Sequence, residues 1–326
     1  MKASEIKIFA GSSGWTFAER VCRYIGVELG RSDVIIFPEG NTFVRVEETV
    51  RDKDVYLVQS IGLDPNNEFV EILFWMDAFK RASASSVTAI VPYFGYAKGD
   101  KKDEPRVSIR ARVCAESIEL AGADRLVTMD LHSPQIQGFF KQPVDHLYAL
   151  PVFCEYIKRQ RIADLIVASP DVGFARQARR FAEHLGVSVA LGDKVRIGHE
   201  NRVEILEIIG DVRGKNALIV DDFTITGGTL VDMAEGLKKR GAKRIYACVS
   251  HLLLDEGGVG VIEDSPIEVL VGTDSVENDY VRASDKIRAV SVAPLFAEAI
   301  MRIHKRESLS SLFGSIPERV FEASQM

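Results

Sequence analysis

Apolar residues fall into two alternating patterns along this chain. Short, largely β-branched runs recur at Lys7 to Ala10, Val34 to Phe37, Val55 to Gln59 and Val87 to Val91, then at Arg125 to Thr128, Leu165 to Ala168, Ala217 to Val220 and Arg244 to Val249. Runs of that length and composition read as strands buried on both faces. Between them the apolar spacing lengthens to the helical period, in a segment starting at Thr16 and in Asn67 to Ala82, Pro151 to Gln160 and Leu230 to Lys239. Strand and helix alternating in this way predict an α/β fold with mostly parallel sheets flanked by helices. A last amphipathic stretch covers Ala293 to Phe313.

The 326 residues are many for one domain and enough for two, each able to bury its own core. A faint internal repeat points the same way. Val55 through Ala78-Phe79-Lys80-Arg81 to Val91 parallels Ala217 through Leu237-Lys238-Lys239-Arg240 to Val249. The boundary is expected near Ala149 to Pro151, giving domains 1–149 and 150–292.

The formal charge of −6 gives no general attraction to nucleic acid or to an anionic membrane, so any affinity for phosphate has to be local. No apolar run approaches the roughly 20 residues of a membrane span, and Met1-Lys2-Ala3-Ser4-Glu5 lacks the apolar core of a signal peptide, so a cytoplasmic location is expected. Cys22, Cys114, Cys154 and Cys248 are scattered without metal-ligand spacing and read as buried core thiols.

The densest candidate chemistry is Ile219-Val220-Asp221-Asp222-Phe223-Thr224-Ile225-Thr226-Gly227-Gly228-Thr229. Two carboxylates end an apolar strand, and a Thr-Gly-Gly-Thr turn opens the next helix. Backbone N–H groups of such a turn can bind a phosphate, while Asp221 and Asp222 can accept hydrogen bonds from vicinal sugar hydroxyls or hold a cation. The first half of the repeat has Gln59-Ser60 in place of the two acids, so it is free for another task. Other residues admit two readings. His132 can be a ligand or a packing group, and Asp171 after Ser169-Pro170 can be a ligand or the cap of the next helix. Lys194 and Arg196, two apart on an extended segment, share a face and can neutralise phosphoryl charge, or can simply be solvated. The following His199-Glu200-Asn201-Arg202 is polar enough for a flexible flap.

The 219–229 segment resembles the phosphoribosyl diphosphate motif of the type I phosphoribosyltransferase fold, V-D-D-x-x-x-T-G-G-T. Pro92-Tyr93-Phe94-Gly95-Tyr96-Ala97, Thr128-Met129-Asp130-Leu131-His132-Ser133-Pro134-Gln135-Ile136-Gln137-Gly138-Phe139-Phe140 and Ser169-Pro170-Asp171-Val172-Gly173 are similar, in order, to the ribose-phosphate diphosphokinase (PRPP synthetase) family. That resemblance implies two tandem phosphoribosyltransferase-like domains, with the segment 293–326 packing back on the first. It implies transfer of the diphosphoryl group of ATP to the C1 hydroxyl of ribose 5-phosphate, giving 5-phosphoribosyl 1-diphosphate and AMP, with Mg2+. The residue roles it implies are as follows. Asp221, Asp222, Ile225, Thr226, Gly227, Gly228, Thr229 and Arg196 hold the sugar phosphate, and His132 and Asp171 hold the metal. Phe37, Glu39, Asn41, Lys98, Gly99 and Asp100 hold the nucleotide, and Lys194 with Arg196 stabilises the transition state. A homo-oligomer built from dimers, commonly a hexamer, is implied too, with a regulatory site for phosphate or ADP in segments containing Arg51 and Ser308 to Phe313.

Four departures from the family pattern stand out. Phe37-Pro38-Glu39-Gly40-Asn41 replaces F-S-D-G-E, and Tyr96-Ala97-Lys98-Gly99-Asp100-Lys101-Lys102 replaces Y-A-R-Q-D-R-K. Lys98 keeps a charge without the planar fork of arginine, and Gly99 has no side chain to offer. Ile225 stands where the motif usually has aspartate, and Phe174 where it usually has glycine. These departures keep open a paralogue with another nucleotide donor or sugar phosphate, and a non-catalytic regulatory partner of a synthetase. A phosphoribosyltransferase fits least, since it leaves the Asp130-Leu131-His132 segment unexplained.

Overall fold

The fold is that of a computed structural model in which residues 5–196 and 203–325 are described, positions 194–196 and 203–206 by backbone alone. The apolar runs become the strands of two parallel sheets, one in each of two compact units. The first unit comprises residues 1–148, 275–277 and 291–326, the second 149–274 and 278–290.

In the first unit the chain runs β1 (Ile6–Ala10), α1 (Trp15–Ile25), β2 (Ser32–Ile36), β3 (Thr42–Val46), β4 (Asp54–Val58), α2 (Pro65–Arg81), β5 (Ser86–Val91), α3 (Arg110–Ala121), β6 (Arg125–Met129) and β7 (Val144–Leu147). The parallel sheet has the order β1-β4-β5-β6-β7, and β2 and β3 form a separate antiparallel hairpin. Pro65 at the start of α2 suits the fixed φ of a first helical turn. Ile72, Trp75, Met76 and Phe79 repeat at helical spacing and are fully buried. The Trp75 and Phe79 rings stack with centroids 5.4 Å apart, and Phe9 of β1 lies 4.9 Å from Phe79, tying strand and helix into one core.

The second unit continues with α4 (Leu150–Gln160), β8 (Leu165–Ser169), α5 (Ala175–Leu185), β9 (Ser188–Arg196), β10 (Val203–Ile209), β11 (Asn216–Thr224), α6 (Gly228–Lys239), β12 (Ile245–Leu252), α7 (Glu256–Glu263), β13 (Ile267–Thr273), α8 (Asp279–Arg282) and β14 (Ile287–Val290). Its sheet has the order β10-β9-β8-β11-β12-β13-β14, parallel except for β10. β11 is central, all but fully buried from Ala217 to Val220, as a strand covered on both faces must be.

The chain then returns to the first unit through α9 (Ala293–Lys305) and α10 (Glu318–Ser324). Phe296 of α9 meets Phe17 of α1 edge-on at 5.4 Å. The buried Glu298 accepts hydrogen bonds from Arg302 Nε at 3.1 Å and Arg319 Nη2 at 2.7 Å, which fastens α10 to α9. The amphipathic stretch expected from Ala293 to Phe313 is broken at Arg306, whose φ of 61° ends α9; a short 3-10 turn follows at Ser310–Phe313. No described helix is long and apolar enough to cross a membrane. The four cysteines are buried, and burial pushes the thiols of Cys22 and Cys154 up to about 12 and that of Cys114 to about 11, as core thiols should be.

Candidate active site

The parallel register of the second unit places the acidic residues. β11 pairs with β8 only as far as Ile219 opposite Ala168, but with β12 through Asp221 opposite Val249 and on to Thr224. The carboxyl end of β11 therefore runs past that of β8, and the chain leaving β8 turns at Ser169-Pro170-Asp171 beside it. Ser169 Oγ donates to the Asp171 carbonyl at 2.7 Å, and Asp171 Oδ1 accepts the Phe174 N–H at 2.9 Å just before α5. Asp171 thus braces the turn ahead of α5 without capping it, since the N-cap is Phe174 and has no side-chain cap. A carboxylate has a second oxygen, though, and the charge of Asp171 reaches Asp221.

Asp221 is the most perturbed acid of the group. Burial first, then the neighbouring Asp222 carboxylate and more weakly Asp171, hold its carboxyl well above the usual range. Asp222 is buried, with Oδ1 accepting its neighbour's N–H, Phe223, at 2.9 Å. Anionic oxygens gathered at a strand end are relieved by hydroxyl donors or by a hard cation.

The turn after β11 is organised by threonines. Thr224 Oγ1, buried, accepts the Gly227 N–H at 3.2 Å, and Thr226 Oγ1 lies 3.5 Å from the Gly228 N–H. Gly227 has φ +76°, a left-handed conformation that costs a glycine nothing, and serves as the N-cap of α6 with no side-chain cap. Helix N–H groups at such an end have no intrahelical acceptor. Ile225, 46% exposed, presents its side chain outward, so the missing aspartate takes a carboxylate away and leaves the backbone of the loop as it is.

The counterpart in the first unit is filled by its own side chains. Gln59 and Ser60 are buried after β4, and Gln59 Oε1 accepts the Ser13 N–H at 2.9 Å. Glu71 of α2 accepts from the Ser12 N–H at 2.9 Å and Trp75 Nε1 at 3.0 Å, and Glu68 accepts the Gly62 N–H. Side chains of α2 and Gln59 thus satisfy N–H groups of the loops after β1 and β4, whereas the turn after β11 has the hydroxyls of Thr224 and Thr226.

The expected nucleotide residues sit on two segments of the first unit. Phe37 begins the turn of the β2–β3 hairpin, with its N–H donating to the Asn41 carbonyl at 2.9 Å, and its ring is 41% exposed. Asn41 Nδ2 donates to Glu39 Oε1 at 3.3 Å. Lys98 and Gly99 lie in the 3-10 turn Ala97–Gly99, just ahead of Asp100. Both segments rest on α2, which packs against β3 and carries Phe69 6.3 Å from the Tyr96 ring.

Gly99 explains itself in three dimensions. A Cβ there would lie 2.7 Å from Arg110 Nε and 2.8 Å from Arg110 Cβ, so the Arg110 side chain at the start of α3 occupies the space that a side chain at 99 would need. Arg110 was not among the residues the sequence singled out, since eleven positions of chain separate the pair; the bare glycine was the available sign. Gly99→Gln should destabilise the fold by about 1–3 kcal/mol through overpacking. Adding Arg110→Ala should recover most of that loss, which a double-mutant cycle in denaturant measures.

His132 is exposed just after β6. The preceding Asp130 has φ +40°, and the Leu131 N–H donates to Nε2 of the buried His146 at 2.9 Å, which fixes that imidazole as an acceptor at Nε2. His132 belongs to the first unit and Asp171 to the second. Phe174 stands half-buried at the N-cap of α5. Lys194 and Arg196 are on β9 opposite Ile205 and Val203 of β10, in a ribbon that extends beyond Leu191, the last β9 residue paired to β8. Their side chains lie outside the described residues, as do residues 199–202 altogether.

The second unit thus brings together Asp171, Asp221, Asp222 and the 225–229 turn, while Phe37, Glu39, Asn41, Lys98, Gly99, Asp100 and His132 are distributed over the loops of the first. Among the described residues no three His, Cys, Asp or Glu side chains converge to hold a metal ion alone. The donor types nonetheless fit magnesium, which is bound through one or two carboxylates together with water and substrate phosphates.

Comparisons with known proteins agree over almost the whole chain. Residues 6–122 match the N-terminal domain of ribose phosphate pyrophosphokinase, and residues 198–314 the phosphoribosyl synthetase-associated domain. The chain is 45% identical to the ribose-phosphate pyrophosphokinase of Caldanaerobacter subterraneus subsp. tengcongensis, over 95% of this chain and 98% of the relative. It is also 45% identical to that of Clostridium acetobutylicum, over 94% and 97% of the two chains. The crystal structure of phosphoribosylpyrophosphate synthetase from Mycobacterium smegmatis superposes with a TM-score of 0.87 at 33% identity, covering 93% of this chain and all of that one.

Proposed function

The chain belongs to the ribose-phosphate pyrophosphokinase family, and from that premise we propose that it transfers the diphosphoryl group of ATP to the C1 hydroxyl of ribose 5-phosphate. The products are 5-phosphoribosyl 1-diphosphate and AMP. The observation that carries this reading is the conjunction, at the end of β11, of Asp221 and Asp222 with an uncapped α6 N-terminus. Acids suited to ribose hydroxyls stand beside N–H groups suited to a phosphate.

In this reading Asp221 and Asp222 accept the ribose hydroxyls, and the turn of Ile225, Thr226, Gly227, Gly228 and Thr229 takes the 5-phosphate, with Arg196 as a second cation. Phe37 stacks on the base, while Glu39, Asn41, Lys98, Gly99 and Asp100 border the nucleotide. His132 and Asp171 would be the protein's magnesium ligands, and the bound ion would offset charge on the phosphate oxygens. The C1 hydroxyl attacks the β-phosphorus in line, AMP leaves, and Lys194 and Arg196 counter the charge on the migrating group. Catalysis is positional and electrostatic, with no covalent enzyme intermediate. With ATP, magnesium and ribose 5-phosphate the protein should release AMP in step with sugar consumption. ADP as the nucleotide product, with a single phosphoryl group added at C1 of the sugar, would sink the assignment.

The Gly99–Arg110 packing favours a second reading within the same chemistry, an altered nucleotide preference, because a flexible cation borders the 96–100 segment in place of an amide. Comparing nucleoside triphosphates as diphosphoryl donors tests it, and strict use of ATP would reject it. We further assign regulation by phosphate or ADP to a cavity of about 410 Å³ in the first unit, whose walls include Arg125, Arg306, Ser310 and Phe313. A dimer-based homo-oligomer, possible as a hexamer, acting in the cytoplasm completes the proposal. Four free thiols, all buried, are in keeping with a reducing compartment.

A further inference from the structure

Helix α7 has the sequence Glu256-Gly257-Gly258-Val259-Gly260-Val261-Ile262-Glu263, with three glycines in eight residues. Glycine weakens a helix, so each position asks for a reason. A Cβ on Gly260 would meet nothing within 4 Å, and one on Gly257 would meet only Asp255 Oδ1 at 3.5 Å. Gly258 differs. A Cβ there would lie 3.0 Å from the backbone oxygen of Ile225 and 2.9 Å from Leu254 Cδ2. The bare Cα of Gly258 therefore lets α7 close against the turn that follows β11.

The contact continues along that turn. A Cβ on Gly227 would lie 3.1 Å from Ile262 Cδ1 and 3.3 Å from the Gly258 carbonyl oxygen. Ile262 is fully buried, and Asp255 anchors the first turn of α7 by accepting the Gly258 N–H at 2.8 Å. Asn278 Nδ2 donates to the Leu252 and Leu254 carbonyls at 3.2 and 2.8 Å, holding the chain that leads into the helix. Residues 225 to 227 thus rest against Gly258 and Ile262, neighbours one turn apart on the same face of α7.

We propose that Gly258, with Ile262, is a positioning residue for the sugar-phosphate turn. The peptide linking Ile225 and Thr226 is planar and trans, so its carbonyl and its N–H point in opposite directions. Seating the Ile225 carbonyl against Gly258 aims the Thr226 N–H away from α7, toward the open side of the turn where the N-terminus of α6 begins. A methyl group at 258 pushes the carbonyl and tilts the N–H with it. This inference rests on the reading of residues 225–229 as the 5-phosphate site.

Three variants test it in the full-length protein: Gly258→Ala, Gly260→Ala as a control in the same helix, and Ile262→Val, which deletes the δ-methyl against Gly227. Gly258→Ala should weaken ribose 5-phosphate binding about tenfold, in calorimetric Kd and in KM, with the KM for ATP unchanged and kcat at saturating sugar within a few-fold. Ile262→Val should move the same constants in the same direction by a smaller factor, and it stands in should Gly258→Ala fail to fold. Gly260→Ala should leave them alone. A sugar Kd unchanged in Gly258→Ala, or in Ile262→Val where that is the variant that folds, overturns the proposal, as does an equal shift in the KM values for both substrates. Parent protein that binds no ribose 5-phosphate would instead overturn the reading of the turn itself, and the proposal with it.

Discussion

Replacing Lys194 with alanine should lower AMP release by roughly 10³-fold while the folded protein keeps nearly its full stability. The expectation starts from the strand. β9 stops pairing with β8 at Leu191, and only β10 accompanies it onward to Arg196. Lys194 lies on that two-stranded ribbon, past the last pairing with β8, so the register of β8 and the strands beyond it does not depend on the residue at 194. Alternate residues of a strand share a face, and on that pattern rests the proposed pairing of Lys194 with Arg196. In the proposed reaction two such cations offset charge that grows on the transferring diphosphoryl group. Losing one therefore raises the barrier to chemistry more than it weakens substrate binding. The measurement is AMP release at saturating ATP and ribose 5-phosphate, set beside a denaturation curve for each protein. A fall in kcat with both KM values nearly constant is the expected pattern. Activity within tenfold of the parent would take Lys194 out of the chemistry. Lys194→Arg should recover only part of the rate, because the planar guanidinium cannot take the place of a compact ammonium.

Much of this architecture could be read in the linear chain, for reasons that differ between elements. Strands buried on both faces announce themselves as apolar runs, and β4, β5 and β8 were expected within a residue at each end, whereas β11 runs four residues past the expected Val220, to Thr224. The helix expected over Asn67 to Ala82 begins two residues earlier, at the Pro65 that its own fixed φ favours. Three of the strands not foreseen lack that continuous apolar signature, although β13, also not foreseen, has it in Val269-Leu270-Val271. β3 alternates half-buried Thr42, Val44 and Val46 with exposed Phe43 and Arg45, and its hairpin stands apart from the main sheet. β14 has only Ile287 and Val290 buried, at the sheet's edge. β10 follows residues 199–202, whose polar character read as a flap.

The candidate site divides in the same way. Asp221, Asp222 and the glycine turn are contiguous in sequence, and so their chemistry could be recognised there. Arg110 and Gly258 could not be, because each acts through space on a segment far off in the chain: Arg110 on Gly99, Gly258 on Ile225. Neither carries a motif of its own. The bonds of Glu71 to the loop after β1 and of Glu68 to the loop after β4 were equally out of reach, since the linear chain shows Gln59 and Ser60 in place of two acids but not what comes to lie near them.

Asp221→Asn should combine a large loss of activity with a gain in stability. The loss follows from the site: an amide can still accept one hydrogen bond from a ribose hydroxyl but carries no charge to strengthen it, and kcat/KM should fall by about 10²-fold or more. The gain follows from burial. In the folded protein the carboxyl of Asp221 is held well above its ordinary range, first by desolvation and then by the Asp222 charge. A carboxyl raised in the folded state contributes most to stability below its unfolded pKa, and that contribution is lost as pH rises through the folded value. Above the unfolded carboxylate range Asp221 therefore works against folding, either as a charge held in the buried site or as a group that must take up a proton, and an asparagine, which cannot ionise, does neither. Without substrates or magnesium, the variant should unfold at higher denaturant than the parent at about pH 8, and its advantage should shrink steadily as the pH is lowered through the range where Asp221 takes up its proton. Saturating ribose 5-phosphate should stabilise the parent more than the variant, narrowing or reversing the difference, because the ligand supplies the hydroxyl donors that the ionised group lacks. A variant less stable than the parent at pH 8, or one whose advantage does not change with pH, would show that Asp221 bears no such strain. The acid at the end of β11 would then be an ordinary surface carboxylate and not a site maintained at the expense of stability.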